Sequence, residues 1–207
     1  MKRLFVALEL PPPIIEALGA LCEGVPNARW SGDDQFHLTL RFIGEVDRIA
    51  FEDIAHELAG VETDAFELEL AGVGHYPPRG APRVLWAGIR PNKALTALQA
   101  RIESAITRAG QPPEARKFSP HITLARLRNP PIDRVSAFLM RHGLFVTEPF
   151  EVDAFHLYSS RLTPSGSHYE IEASFPLRGA YAFEDLWTEA DEAAFAARQA
   201  RNRHSGR

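Results

Sequence analysis

The chain has a single cysteine, Cys22, so no internal disulfide can form. That usage makes a cytoplasmic protein the expectation. No apolar run approaches the roughly 20 residues of a membrane helix. The opening MKRLFVALEL loses its apolar run at Glu9 and Pro11–Pro13, which argues against a signal peptide. There is no P-loop and no GxGxxG, so no nucleotide-fuelled step is implied. No pair of histidines has metal-ligand spacing with a carboxylate nearby, so neither a metal nor another cofactor is expected. An excess of positive charge is missing too. The balance is 23 basic against 27 acidic residues, which argues against broad, non-specific nucleic-acid binding but leaves room for a small basic pocket. Lysine is scarce: Lys2, Lys93 and Lys117 are the only three, and the other basic residues are arginines. Arginine suits bidentate phosphate contacts, although a GC-rich genome accounts for the bias as a whole.

What remains is an ordinary globular composition, 45% hydrophobic and 24% charged over 207 residues. That length can bury a sizeable core without staples. Alternation predicts strands over 3–10, 36–43, 66–70, 84–89, 118–127, 150–158 and 169–177. Helical spacing places Ile14, Leu18 and Leu21 on one stripe, and Phe51, Ile54 and Leu58 on another, with Asp47 as N-cap and Gly60 as stop. Leu95, Leu98, Ile102 and Ile106 mark a long helix ending at Gly110. Asp133 is read as the cap of a shorter one carrying Val135, Phe138 and His142. Gly72–Pro82 reads as a Gly/Pro-rich turn, and Leu162–Ser167 as a hairpin loop.

The same order of elements occurs twice. RLFVAL from Arg3 matches RVLWAG from Arg83, HLTL from His37 matches HITL from His121, VDRI from Val46 matches IDRV from Ile132, and FELE from Phe66 matches FEVD from Phe150. The offsets are 80, 84, 86 and 84 residues. This predicts an internally duplicated β-α-β-α-β unit, roughly 3–72 and 83–158, within one domain over 1–177. Residues 178–207 form a C-terminal extension with no assigned role.

The chemistry concentrates in His37-Leu38-Thr39-Leu40 and His121-Ile122-Thr123-Leu124. On a strand, side chains alternate, so each His and Thr face one way while the aliphatic residues anchor a core. Eight histidines and eight threonines in this length give roughly 0.3 His-x-Thr triplets by chance, and two copies flanked by aliphatics roughly one in ten thousand. Two imidazoles on one pocket can serve as base and acid near neutral pH. Each such role is worth roughly 10² to 10⁴ in rate. Threonine hydroxyls can donate to oxygens that gain charge. A strained cyclic phosphodiester needs these parts, and no metal is required when a histidine protonates the leaving group.

HLTLRFIGEV and FSPHITLAR, together with RLFVALELP and SRLTPSGSHYE, resemble the 2H phosphoesterase superfamily. Within it they resemble the RNA 2′,3′-cyclic phosphodiesterase branch, also called the 2′-5′ RNA ligase family. The resemblance spans about 1–177. It implies an α+β, bilobal fold whose antiparallel sheets flank a central cleft. It implies hydrolysis of 2′,3′-cyclic phosphodiester ends of RNA or nucleotides to 2′-phosphates, with 2′-5′ ligation as a possible reverse. By that resemblance His37 is the proton donor and His121 the proton acceptor, whereas the residues alone leave the two roles exchangeable. Thr39 and Thr123 would hold the phosphate. Arg126 is a further phosphate-binding candidate, but strict alternation puts it opposite His121, so a direct contact needs a bulge or a strand end. Phe42, Trp30 and Tyr158 are candidate base-stacking aromatics. The expected partners are RNA ends or small cyclic nucleotides, with no membrane and no metal, and the expected state is a monomer.

Overall fold

A computed structural model of the chain describes residues 1–163 and 166–179. The extension expected over 178–207 therefore falls almost wholly outside the described residues. The elements run β1 (Lys2–Leu8), α1 (Pro12–Gly19), β2 (Ala28–Trp30), a 3-10 turn (Asp33–Gln35), β3 (Leu38–Val46), α2 (Arg48–Ala59), β4 (Phe66–Leu68), β5 (Leu70–Tyr76), β6 (Val84–Ile89), α3 (Lys93–Arg108), β7 (His121–Leu127), α4 (Ile132–His142), β8 (Phe150–Val152), β9 (Ala154–Thr163) and β10 (Gly166–Pro176). Among the described residues no helix is long and apolar enough to cross a membrane.

The fold is α+β and bilobal. One four-stranded sheet has the order β10-β9-β1-β3 and the other β2-β7-β6-β5, with every described ladder antiparallel. The short ladder β4-β8 joins the two halves: Glu67 opposes Glu151, flanked by Phe66–Val152 and Leu68–Phe150. These strands are 84 positions apart, so the ladder maps onto itself when the halves are exchanged. Each half also lends a strand to the other. β5 follows β4 but pairs with β6, and β9 follows β8 but pairs with β1.

Local signals explain most boundaries. Asp47 accepts a hydrogen bond from the Ala50 amide, and Asn92 from Leu95, which starts α2 and α3. The expectation for Asp133 is corrected. It lies in the first turn of α4, Pro131 holds the cap position, and no side-chain cap is present. The strand expected over 66–70 is two short strands that break at Glu69. Of the turn predicted over 72–82, residues 72–76 belong to β5 and the bend follows over 77–82. Its glycines read as a loop, but Gly74 is demanded by packing: a Cβ there would sit 2.2 Å from the Trp86 ring.

Leu4, Val6, Leu8, Leu38, Leu40, Ile122 and Leu124 are buried in one continuous core with the apolar faces of the helices. Each fully buried Leu, Ile or Val contributes roughly 1.5–3 kcal/mol. The opposite face of the first sheet carries a second, small cluster of Phe5, Ala7 and Tyr158, against which Tyr169 packs.

Candidate active site

Burial along both motif strands alternates as their letters predict. Leu38, Leu40, Ile122 and Leu124 are inside, while His37, Thr39, His121 and Thr123 are half-buried on the other face. A bulge then interrupts each strand at the same place. Thr39 opposes Ala7 and Arg41 opposes Val6, so Leu40 is the extra residue. Thr123 opposes Trp86 and Ala125 opposes Leu85, so Leu124 is the extra residue. A bulge reverses the parity of everything after it. Arg126, paired with Val84, therefore shares a face with Thr123 rather than lying opposite. The expectation drawn from strict alternation is corrected, and the exposed Arg126 stands two residues along β6 from the Thr123 row. Its counterpart in the first half is Phe42, which pairs with Phe5 and is 63% exposed.

The two imidazoles are held alike. His121 Nδ1 donates to the Ser119 carbonyl at 2.7 Å, and His37 makes a backbone hydrogen bond to Gln35, again two residues earlier. A carbonyl can only accept, so the proton of neutral His121 sits on Nδ1 and Nε2 is left free for chemistry. The rings are close enough that the charge of His121 lowers the pKa of His37.

Their surroundings differ. His37 lies 4.9 Å from Phe5 and 5.1 Å from the edge of Tyr169, with Tyr158 at 6.3 Å, centroid to centroid. Burial in this cage is the main cause that pushes its pKa down to about 4. The Gln35 hydrogen bond works against that shift, and His121 adds to it. His121 meets Tyr76 edge-on at 5.1 Å and Trp86 at 6.4 Å. The Tyr76 hydroxyl hydrogen-bonds the Ser119 hydroxyl at 2.7 Å, which holds the turn that carries the Nδ1 acceptor. On the neighbouring strand Ser31 donates from its amide to the Leu124 carbonyl at 2.8 Å and from Oγ to the Thr123 carbonyl at 2.9 Å.

Arg41, only 7% exposed, is part of β3, and the bulge at Leu40 turns its side chain away from the face of Thr39. Its Nε is 2.6 Å from Glu103 Oε2, its Nη2 donates to the Pro112 carbonyl at 2.6 Å, and its Nη1 donates to the Phe42 carbonyl. Glu103 also accepts from the Glu114 amide. These bonds tie α3 and the segment leading to His121 against the strand that carries Thr39.

Of the aromatic candidates, Phe42 and Tyr158 lie on the cleft face and Trp30 does not. Trp30 pairs with Ala125 and packs on Phe138. Among the other histidines, His56 is exposed on α2 and His142 packs on Phe138. His156 lies on β9. It shares the row of Thr39 and Ala7 and hydrogen-bonds the Ser174 hydroxyl at 2.9 Å. Sequence reasoning also missed Tyr76, Ser119 and Ser31. Only Ser119 had a signal, as the serine of FSPH. Among the described residues no group of three metal-ligating side chains converges.

The family model described as the 2′-5′ RNA ligase superfamily matches residues 5–163. An Aeropyrum pernix protein named RNA 2′,3′-cyclic phosphodiesterase is 36% identical over 150 residues, covering 69% of this chain and 84% of its own. A Thermus thermophilus protein of the same name is 35% identical over 193 residues, covering 88% and 93%. Among solved structures, Escherichia coli LigT complexed with 3′-AMP superposes with a TM-score of 0.72 at 27% identity, covering 86% of this chain and 98% of that one.

Proposed function

The chain belongs to the 2′-5′ RNA ligase superfamily, and from that premise we propose that it hydrolyses 2′,3′-cyclic phosphodiester ends of RNA or nucleotides to 2′-phosphates. One observation carries this reading. Two His-x-Thr strands, each bulged after the threonine, hold carbonyl-pinned imidazoles within electrostatic reach of each other.

In this mechanism the phosphate lies between the rings. His121 Nε2 takes a proton from water, and the water oxygen bonds to phosphorus. The bond from phosphorus to the 3′ oxygen breaks, and His37 gives that oxygen a proton. The product carries a 2′-phosphate and a free 3′-hydroxyl, and each histidine ends in the other's starting charge state. Thr39 and Thr123 donate to the non-bridging oxygens as they gain charge. Arg126, turned to this face by the bulge, adds a fixed positive charge.

The assignment of His37 as acid follows the family resemblance, and the cage sets a condition on it. With a pKa near 4 the free site holds His37 neutral. The acid form must therefore be made as the anionic phosphate arrives, since a negative charge alongside raises a histidine pKa. A 5′-hydroxyl in place of water would give a 2′-5′ linkage with the same groups.

The test is turnover of a 2′,3′-cyclic end in EDTA by wild type, His37→Ala and His121→Ala. Wild-type turnover in both variants would overturn the assignment. Stoichiometric product binding without hydrolysis would make the protein a phosphate-end binder instead. Within this reading we infer a cytoplasmic protein that works as a monomer. We also read 1–177 as one duplicated domain, an origin supported by the self-matching β4-β8 ladder and the equivalent bulges.

A further inference from the structure

We propose that Glu9, His156 and Tyr158 form a base-edge subsite on the first half of the cleft, and that it selects guanine as the base of the cyclic nucleotide. The inference rests on the reading above and names the nucleoside that the same site accepts.

The subsite continues the row that carries Thr39. Thr39, Ala7, His156 and Ser174 are successive cross-strand partners, so their side chains share the cleft face. His156 stands two strands from Thr39, about 10 Å at ordinary strand spacing. That is comparable to the reach from a phosphate, across a sugar, to the edge of its base. Glu9 follows the end of β1, two residues beyond Ala7, so alternation returns it to the same face. Its Oε2 is 4.0 Å from His156 Nε2, longer than a hydrogen bond, and its side chain is 65% exposed. Ser174 Oγ holds the other ring nitrogen, Nδ1, at 2.9 Å and so fixes the direction in which Nε2 points.

Tyr158 completes the corner. Its ring lies flat on Phe5 at 5.1 Å and meets His156 edge-on at 5.9 Å. At 8% exposed it offers a base its hydroxyl rather than its face. That hydroxyl has no hydrogen-bond partner among the described residues. Burial, and then the charge of Glu9, push its pKa above the usual tyrosine value, so it stays protonated and donates. At His156 burial lowers the pKa, and Glu9 with Asp153 works against it. The Glu9 carboxylate is thus felt by both groups. With Ser174 donating to Nδ1, the ring proton is on Nε2, where it faces the carboxylate and orients it. The corner therefore pairs a group that only accepts with a hydroxyl that donates. Of the common bases, guanine alone presents adjacent N1–H and N2–H donors beside an acceptor, O6, on its Watson–Crick edge. Glu9 accepts from both donors, and the Tyr158 hydroxyl donates to O6. Adenine and cytosine set a ring acceptor against the carboxylate, and uracil has one N–H between two acceptors. Each is disfavoured by repulsion as well as by a lost bond.

The experiment measures kcat/KM in EDTA for the guanosine, adenosine, cytidine and uridine 2′,3′-cyclic monophosphates. Wild type is expected to favour the guanosine substrate by about tenfold, toward the lower end of what a bidentate base contact gives, because Glu9 is exposed. In Glu9→Gln the carboxamide donates as well as accepts, which matches N1 and N6–H of adenine, so the preference is expected to pass from guanosine to adenosine. Tyr158→Phe keeps the ring on Phe5 and removes the donor to O6. His156→Phe keeps an aromatic ring and leaves Glu9 unoriented. Each is expected to lower the guanosine-to-uridine ratio several-fold, with circular dichroism checking that the fold is retained. Equal kcat/KM on all the substrates in wild type, or a guanosine preference that survives Glu9→Gln, overturns the inference and leaves the reaction standing. Turnover of none of them removes the reaction and the inference with it.

Discussion

The two halves of the cleft present the same backbone and different side chains. Each contributes a His-x-Thr strand, a bulge after the threonine and a backbone hydrogen bond to the residue two before the histidine. Yet position 41 is a buried arginine where its counterpart, Ala125, is small and apolar, and position 42 is Phe where its counterpart is Arg126. The first half encloses His37 in Phe5, Tyr158 and Tyr169, and the second sets His121 against Tyr76 and Trp86 with the Ser119 carbonyl as its hydrogen-bond partner. A symmetric frame can deliver two equivalent rings, but acid-base chemistry needs them inequivalent. The difference is supplied by the neighbouring side chains, without changing the strand geometry.

The most severe way to break the comparison is to remove either ring. His37→Ala and His121→Ala should each lower kcat/KM on a cyclic end by roughly 10² to 10⁴. The double variant should fall little further, because the two rings act as one unit. Steady-state kinetics in EDTA reads this, and strict additivity of the two losses would argue that they do not share a reaction.

Next comes Arg41, where the halves differ in charge behind the strand. Arg41→Met leaves Glu103 with its ion-pair partner gone and removes two donors to carbonyls. Losing one member of a buried pair typically costs about 3–5 kcal/mol. Glu103 is partly exposed, at 23% of its side-chain surface, so the lower end is expected. Chemical denaturation measures it. A loss below about 1 kcal/mol would mean that the pair is solvated and does not anchor the segment before His121.

The cage around His37 makes a prediction in pH. Its native pKa of about 4 lies below the ordinary 6.5 of the unfolded chain. Between those values the unfolded state binds more protons, so stability rises with pH across this window. It is fully present above about 6.5 and is lost as pH falls toward 4, by at most about 3 kcal/mol. His37→Gln should flatten that part of the profile. An unchanged slope would mean that the cage does not suppress the charge.

Much of this was legible in the letters, and the exceptions have physical causes. Periodicity found α1, α2, α3 and β6 because their apolar stripes or alternation are unbroken. The paired motifs located both histidines, since a repeated string at one offset is informative whatever the fold. β5 was hidden because Gly72 and Gly74 flank Val73 and weaken the strand signal. Gly74 is set by the Trp86 ring, a contact that no local pattern contains. β2 was hidden because three residues are too few to show a period. Arg126 was turned the wrong way for a related reason: the bulge is a property of pairing with β6, and the sequence of β7 alone reads as an unbroken strand. The exchange of β5 and β9 between sheets was also invisible, since strand order is decided by long-range packing.

The smallest predicted effect tests the one pair of equivalent positions that differ most in polarity on the cleft face, Phe42 and Arg126. Arg126→Ala removes a charge from the phosphate side and should raise KM about tenfold, with a shallower salt dependence, as loss of a charged hydrogen bond of ~1.5 kcal/mol implies. Phe42→Ala removes an exposed ring that contacts Phe5 at 6.0 Å and carries no charge. It should change KM by no more than about threefold and leave the salt slope alone, with any loss depending on the identity of the base, as stacking would. If the two variants behaved alike in salt, the cleft would lack the polarity that distinguishes its halves, and the asymmetry would have to reside in the histidine surroundings alone.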